Sequence, residues 1–290
     1  MALSVNQGFD LFLQQLTPTV GEREAKARHR RSVETSLQAA AFGVSLFRET
    51  GSFTHGTGVR GYCDVDLLAS IKAGRPNSSD TALGWVKSAL QASFPSTEVV
   101  IRRPTVQVRF TGGAETWEVL PAFLTFRGGD TSVYDIPGAA GGWMDTAPTA
   151  HLAYVNEVNQ RPVAAGGAKK LARLVKAWKY YNRVPVSSFY LEMRAAQYMA
   201  DEPNFIAVWD ICGLLEKLDG HQLAGMNDPK NKAGRFAACS SDATRREALS
   251  KLRTGAIRAR KALDAHQKDD QATAFTYLSL LFGGRFPSVS

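Results

Sequence analysis

Residues 51–70 read GSFTHGTGVRGYCDVDLLAS. A glycine-rich segment leads into Asp64 and Asp66, which flank Val65 ahead of an apolar run. The run predicts a β-strand, and side chains two apart in a strand share a face. The two carboxylates therefore project together while Val65 and Leu67 go to the opposite side. Like charges side by side repel and are costly to desolvate. A divalent cation removes that cost, and Mg2+ takes carboxylate oxygens together with substrate phosphates. A D-x-D pair alone also fits two exposed aspartates on an edge strand.

A third acid strengthens the metal reading. In TWEVLPAF, residues 116–123, Glu118 sits between Trp117 and Val119 on another apolar run. If that strand lies beside the D-x-D strand, Glu118 joins the same cluster, and three carboxylates suffice for two metal ions. The alternative is a salt-bridged or edge glutamate. Gly51 and Ser52, just upstream, suit phosphate binding, because backbone N–H groups and a small hydroxyl approach phosphate oxygens closely where no Cβ intervenes. There is no G-x-x-x-x-G-K-[ST] loop and no G-x-G-x-x-G opening a helix after a strand, which excludes those two nucleotide-binding modes.

The chain has 290 residues, enough for one large domain or two small ones. With 44% hydrophobic and 21% charged residues it reads as an ordinary soluble globular protein. No apolar run has membrane-helix length and the N-terminus lacks secretory-signal character, so the predicted location is cytoplasmic, without membrane association. Three widely spaced cysteines, with no C-x-x-C, argue against a disulfide framework or structural zinc. The net charge of +8 suits a polyanionic partner, nucleoside triphosphates or nucleic acid, and equally suits mere solubility.

Along the chain, Val20–Phe47 predicts one long helix capped by Thr19, with Leu37, Ala40, Ala41, Val44 and Phe47 at helical spacing. Its basic middle around Arg28–Arg31 is either a solvated face or an electropositive surface for an activating ligand. Strands are expected in CDVDLLASI, EVVIRR, TVQVRF and TWEVLPAFLTF, with a hairpin turn at TGGAE and a helix capped by Ser79 or Asp80. Residues 127–165, rich in Gly, Pro and Asp, predict a long connecting loop. From there to the end helices dominate. Leu171, Leu174, Val175 and Trp178 form one stripe. Trp143, Trp178 and Trp209 are expected in the core, and Ser187 or Ser188 as a helix cap.

The combination of a G-S pair, D-x-D and a third acid on a later strand resembles the polymerase-β-like nucleotidyltransferases. WEVLPAF resembles the third-acid strand of oligoadenylate synthetases. LARLVKAWKYYNRVPVSSFYLE resembles the first C-terminal-lobe helices of bacterial CD-NTases of the SMODS type. GGWMDTAPTAHLAYVNEVN, AGMNDPKNKAGRF and LFGGRFP are similar to that family too, and the likeness runs from about Val33 to Pro287. The resemblance implies an α+β, two-lobed fold: a mixed sheet with flanking helices over residues 1–160 and a helical C-terminal lobe over 161–290. It implies synthesis of cyclic di- or trinucleotide second messengers from ATP, GTP or other triphosphates, in anti-phage (CBASS) defence, with two Mg2+ ions or Mn2+ in their place. Linear or small-molecule nucleotidyl transfer, or a catalytically weak nucleotide or nucleic-acid sensor, are the rival readings, and an activating ligand or protein is a further expected partner. By position, Asp64, Asp66 and Glu118 match the metal-binding catalytic acids, and Gly51 and Ser52 the phosphate-binding pair. Lys176 and Ser188 match groups that meet the donor triphosphate, and Phe189 a base-stacking aromatic. Glu118 departs from the family's usual Asp by one methylene.

Overall fold

A computed structural model describes residues 3–26, 29–62, 64–110, 116–162 and 166–288. In order the elements are α1 Val5–Leu16, α2 Val20–Lys26, α3 Arg30–Gln38, β1 Val44–Thr50, α4 Gly51–His55, β2 Val65–Ile71 and α5 Ser79–Ser93. Then come β3 Glu98–Arg102, β4 Thr105–Arg109, β5 Thr116–Thr125, β6 Val133–Pro137, β7 Trp143–Thr146 and α6 Pro148–Asn159. The remainder is α7 Gly167–Tyr181, α8 Ser188–Asp201, α9 Ala207–Gly220, the short hairpin β8 Met226–Asn227 and β9 Arg235–Phe236, α10 Asp242–Gln267 and α11 Gln271–Leu281.

The main sheet runs β1-β2-β5-β4-β3, with β6 on the far part of β5 and β7 on β6. Among the described strands only β2 and β5 pair in parallel, and their register sets Asp66 opposite Glu118. On the antiparallel sides Thr50 meets Asp66 and Gln107 meets Glu118. Alternation does the rest. Val65, Leu67, Ala69 and Ile71 go to a core shared with Val33 and Leu37 of α3 and Ala82, Leu83, Val86 and Leu90 of α5. The intervening positions of β2 face the other way. A second, larger core joins α7–α11, and the apolar faces of α1 (Val5, Phe9, Phe12, Leu16) and α6 (Val155, Val158) pack into it. The expected stripe Leu171, Leu174, Val175 and Trp178 is buried there.

Several local expectations are corrected. The long helix over Val20–Phe47 is instead α2, α3 and β1. Thr19 does cap α2, its hydroxyl accepting from the Glu22 amide at 3.2 Å. The chain then turns at Gly43, φ +58°, and Val44–Thr50 leaves helical spacing to pair with β2. A short apolar run fits both periods, and the unpaired edge of β2 decides between them. The Gly- and Pro-rich stretch is not one loop. Gly128 and Gly129 lie in the turn between β5 and β6, Gly138, Gly141 and Gly142 in the turn between β6 and β7, and Pro148 opens α6. Ser78, not Ser79 or Asp80, caps α5. Trp209 is exposed and Trp143 only half-buried. The TGGAE turn, Arg28 and Cys63 fall outside the described residues, while Arg30 is engaged by Glu34 and Glu49. Among the described residues no helix is long and apolar enough to cross a membrane.

Candidate active site

A cavity of about 870 Å3 opens between the sheet and the C-terminal helices. That volume is near the top of the roughly 300–1,000 Å3 range of small-molecule sites. Asp66 and Glu118 line it from the sheet, Asp64 from the residue just before β2, Gly51 and Ser52 from α4, and Lys176, Lys179, Ser188 and Phe189 from α7 and α8. All eight residues expected from the sequence therefore border one space, joined by Lys179.

Gly51 makes a tight approach. Its φ is +68°, and a Cβ there would lie 1.8 Å from Asp66 Oδ2. Only glycine allows α4 to start against that carboxylate, and the Ser52 backbone N–H donates to it. Burial pushes the Asp66 carboxyl up to about 8, and the nearby Glu118 and Asp64 charges push the same way. Lys176 and the Ser52 amide oppose them. Burial also raises Glu118, with Asp64 adding to it. A hydrogen bond from Gln107 Nε2 to Glu118 Oε1, 2.6 Å, and the charge of Lys179 pull it back.

The opposite wall is organised differently. Lys176 is 2% exposed. Its ammonium donates to Glu192 Oε2 at 2.5 Å and Thr57 Oγ1 at 2.8 Å. Glu192 also contacts His55 Nδ1 and accepts from the Thr57 hydroxyl. Burial alone would raise the Glu192 carboxyl, yet Lys176 and His55 hold it well below the usual carboxylate range. Arg173 extends the clamp, donating to the Gly56 and Gly58 carbonyls at 2.6 and 3.0 Å. This network ties the C-terminal end of α4 to α7 and α8.

Lys179, one turn beyond Lys176, donates to Ser188 Oγ and lies over the Tyr180 ring. Burial lowers its ammonium to about 8, helped by Lys176 and opposed by Glu118. Ser187 is the cap of α8, accepting from the Tyr190 amide at 3.3 Å, which leaves Ser188 to face the cavity. Tyr62 stacks on Tyr180 with ring centroids 4.8 Å apart, and Phe189 packs on His151 and Phe236, each at 5.0 Å. Across the opening, the Gly234 amide donates to Asp145 Oδ1 at 2.8 Å.

Among the described residues no three His, Cys, Asp or Glu side chains stand together as a ready-made metal cage. The donor set nevertheless fits a hard cation. Mg2+ keeps few protein carboxylates and completes its shell with water and substrate phosphates. The upward shifts of Asp66 and Glu118 mark negative charge that such a cation would stabilise.

Sequence reasoning missed Lys179, Gln107, His55, Glu192 and the Tyr62–Tyr180 stack. The spacing of Lys179 and Tyr180 at three and four residues from Lys176 was a usable signal, since those positions adjoin on a helix. The others depend on strand register or on contacts between distant segments.

Residues 3–159, more than half of the chain, match the family model described as the Second Messenger Oligonucleotide or Dinucleotide Synthetase (SMODS) domain. The chain belongs to the SMODS family. The SMODS chain matches no curated protein sequence. Its fold is that of solved polymerase-β-like CD-NTases. The structure of E. coli MS115-1 CdnC with ATP is 16% identical with a TM-score of 0.77, covering 99% of each chain. The Bradyrhizobium diazoefficiens CD-NTase CdnG in complex with GTP is 16% identical with a TM-score of 0.70, covering 96% of each chain. Vibrio cholerae DncV, a cyclic AMP-GMP synthase in complex with the linear intermediate pppA(3′,5′)pG, is 15% identical with a TM-score of 0.64. That match covers 97% of this chain and 82% of DncV. The expected α+β architecture, a mixed sheet with flanking helices and a helical C-terminal part, is what the chain adopts.

Proposed function

We propose that this SMODS chain is a metal-dependent nucleotidyltransferase that joins nucleoside triphosphates, ATP, GTP or both among them, into a cyclic di- or trinucleotide. One observation carries the reading: three carboxylates on the sheet side and the Lys179–Ser188 pair from α7 and α8 border the same cavity. A triphosphate between them meets cations and donors on one side and a cation-binding acid cluster on the other.

Asp64, Asp66 and Glu118 would hold Mg2+, or Mn2+, which supplies neutralisation of the triphosphate charge and acidification of the attacking hydroxyl. Gly51 and Ser52 offer backbone and hydroxyl donors beside Asp66. Lys179 and Ser188 meet the β- and γ-phosphates and keep them in place as pyrophosphate departs, with Lys176 behind them. Glu118, on the cavity wall, would take the proton from the ribose hydroxyl. The hydroxyl oxygen bonds to the α-phosphorus as the bond to pyrophosphate breaks. Phe189 offers a ring face to a base. A second transfer in the same cavity closes the ring. The linear intermediate named for the DncV structure supports such a two-round course. The product would act as a second messenger in anti-phage defence, the setting the family resemblance implies.

The test is incubation of the purified chain with Mg2+ or Mn2+ and labelled triphosphates, followed by separation of phosphatase-resistant products. Cyclic product that disappears in an Asp64→Asn, Asp66→Asn double variant is expected. Only linear, phosphatase-sensitive product would move the reading to linear synthesis. No product with either metal, with or without added DNA or RNA, would sink it.

A further inference from the structure

A glutamate in the third-acid position has one more rotatable bond than an aspartate, and so more orientations to lose when it engages a ligand. The structure removes that freedom from behind. Gln107 on β4 is the register partner of Glu118 on β5, and its amide Nε2 donates to Glu118 Oε1 at 2.6 Å. Gln107 is not part of the cavity lining, whereas Glu118 is. The amide is itself held: Arg109, two residues on and on the same face of β4, donates to Gln107 Oε1 at 3.2 Å. Arg109 is in turn fixed by Glu98 of β3, also at 3.2 Å. A chain Glu98–Arg109–Gln107–Glu118 thus crosses three strands and ends at the cavity. Its polarity is consistent throughout. Arg109 can only donate, so it claims the Gln107 carbonyl and leaves the amide N–H groups for Glu118.

We propose that Gln107 is a positioning residue that fixes the longer Glu118 side chain so that its free oxygen faces the cation shared with Asp64 and Asp66. This rests on the metal-site part of the proposed function. Outer hydrogen-bond partners of metal-binding carboxylates typically matter by about 10–100-fold in affinity or activity. The Gln107 bond occupies one lone pair of Oε1 and fixes the orientation of the carboxylate, so that Oε2 is the oxygen offered to the ion. An aspartate at position 118 would be one methylene shorter and would set its carboxylate farther back from both the amide and the ion.

The experiment is a Mn2+ titration read by electron paramagnetic resonance, with a non-hydrolysable ATP analogue present. It compares wild type, Gln107→Met, Glu118→Asp and the double variant. Methionine keeps the shape of glutamine and lacks the donor. The expected result is about 10–100-fold weaker Mn2+ binding in Gln107→Met, with the melting temperature near that of wild type. Adding Gln107→Met to Glu118→Asp is expected to change binding by less than threefold. If Gln107→Met does not fold, Gln107→Leu, which also lacks the donor, replaces it. Mn2+ affinity within twofold of wild type in the folded Gln107 variant overturns this inference and leaves the metal site standing. Equal losses when Gln107→Met is added to wild type and to Glu118→Asp overturn it as well. Wild-type protein that takes up no Mn2+ overturns both the metal site and the role of Gln107.

Discussion

Two charge clusters face each other across the cavity, and their internal balance is opposite. On the helical side, Lys176, Glu192, His55 and Thr57 satisfy one another, and Glu192 is held firmly ionised. On the sheet side, Asp66 and Glu118 sit close to a further carboxylate, and both are pushed toward the protonated form. Charges that complete each other hold a structure together. Charges that repel in a buried place hold energy that a proton or a ligand of opposite sign relieves. On this ground the acid cluster is the place we propose for a cation. The Lys176 cluster is first a clamp between α4 and the helices, whatever else Lys176 touches. Lys179 stands between the two: it is charged, half-buried and bonded to a neutral serine rather than a carboxylate.

The sharpest way to break the comparison is Asp66→Asn. Removing one ligand of an ion that supplies several kcal/mol of transition-state stabilisation should lower product formation by about a thousandfold or more. The metal-free fold should not suffer. The Asp66 carboxyl binds its proton more tightly in the folded protein than its ordinary value of 3.8 allows, with the folded value near 8. Its contribution to stability is therefore present below the ordinary carboxylate range and lost as the pH rises through about 8. Metal-free wild type should lose melting temperature over that window, and Asp66→Asn should lose less. A steeper loss in the variant would contradict the assignment of strain to this carboxylate.

Lys176→Met should do the reverse. It leaves the Glu192 carboxylate without its ammonium, and breaking a buried pair typically costs about 3–5 kcal/mol. Denaturant unfolding measures this. The double variant Lys176→Met, Glu192→Leu should recover most of the loss, because no lone charge is then buried. Failure to recover would mean that Lys176 stabilises the fold by something other than Glu192.

Lys179→Met should have the mildest effect on the fold and a clear one on substrate. Hydrogen bonds to charged groups contribute about 1.5–3 kcal/mol, so the Kd for a non-hydrolysable triphosphate analogue should rise about 10- to 150-fold. Because burial lowers the Lys179 ammonium to about 8, wild-type affinity should fall as the pH passes that value. Lys179→Arg should bind through that range without the fall. Isothermal titration calorimetry over pH 7–9 checks both, and a pH-independent wild type would remove Lys179 from the phosphate site.

How much of this was readable in advance differs by residue. The D-x-D spacing suggested one shared strand face for Asp64 and Asp66; β2 begins only at Val65, yet both carboxylates line the cavity. The amphipathic stripe on α7 was likewise legible, since the 3.6-residue period sorts apolar from polar positions without knowledge of the partner. The Val44–Phe47 segment misled because a four-residue apolar spacing fits helix and strand alike, and only the open edge of β2 favours the strand. Gly51 was visible as a glycine. That a Cβ there would collide with Asp66 depends on how α4 meets β2.

The sequence by itself determined which groups carry charge, which runs are apolar, and, through periods of two and 3.6, which side chains share a face. Tertiary structure alone decided which charges meet. Glu118 lies beside Asp66 because β5 pairs in parallel with β2, and Gln107 reaches Glu118 because β4 lies on the other side of β5. Lys176 pairs with Glu192, while Lys179, one turn on, faces the cavity. Local spacing is dictated by bond geometry along the chain. The neighbours across a cavity are chosen by packing between segments far apart in it, and the electrostatic character of each group follows from those neighbours.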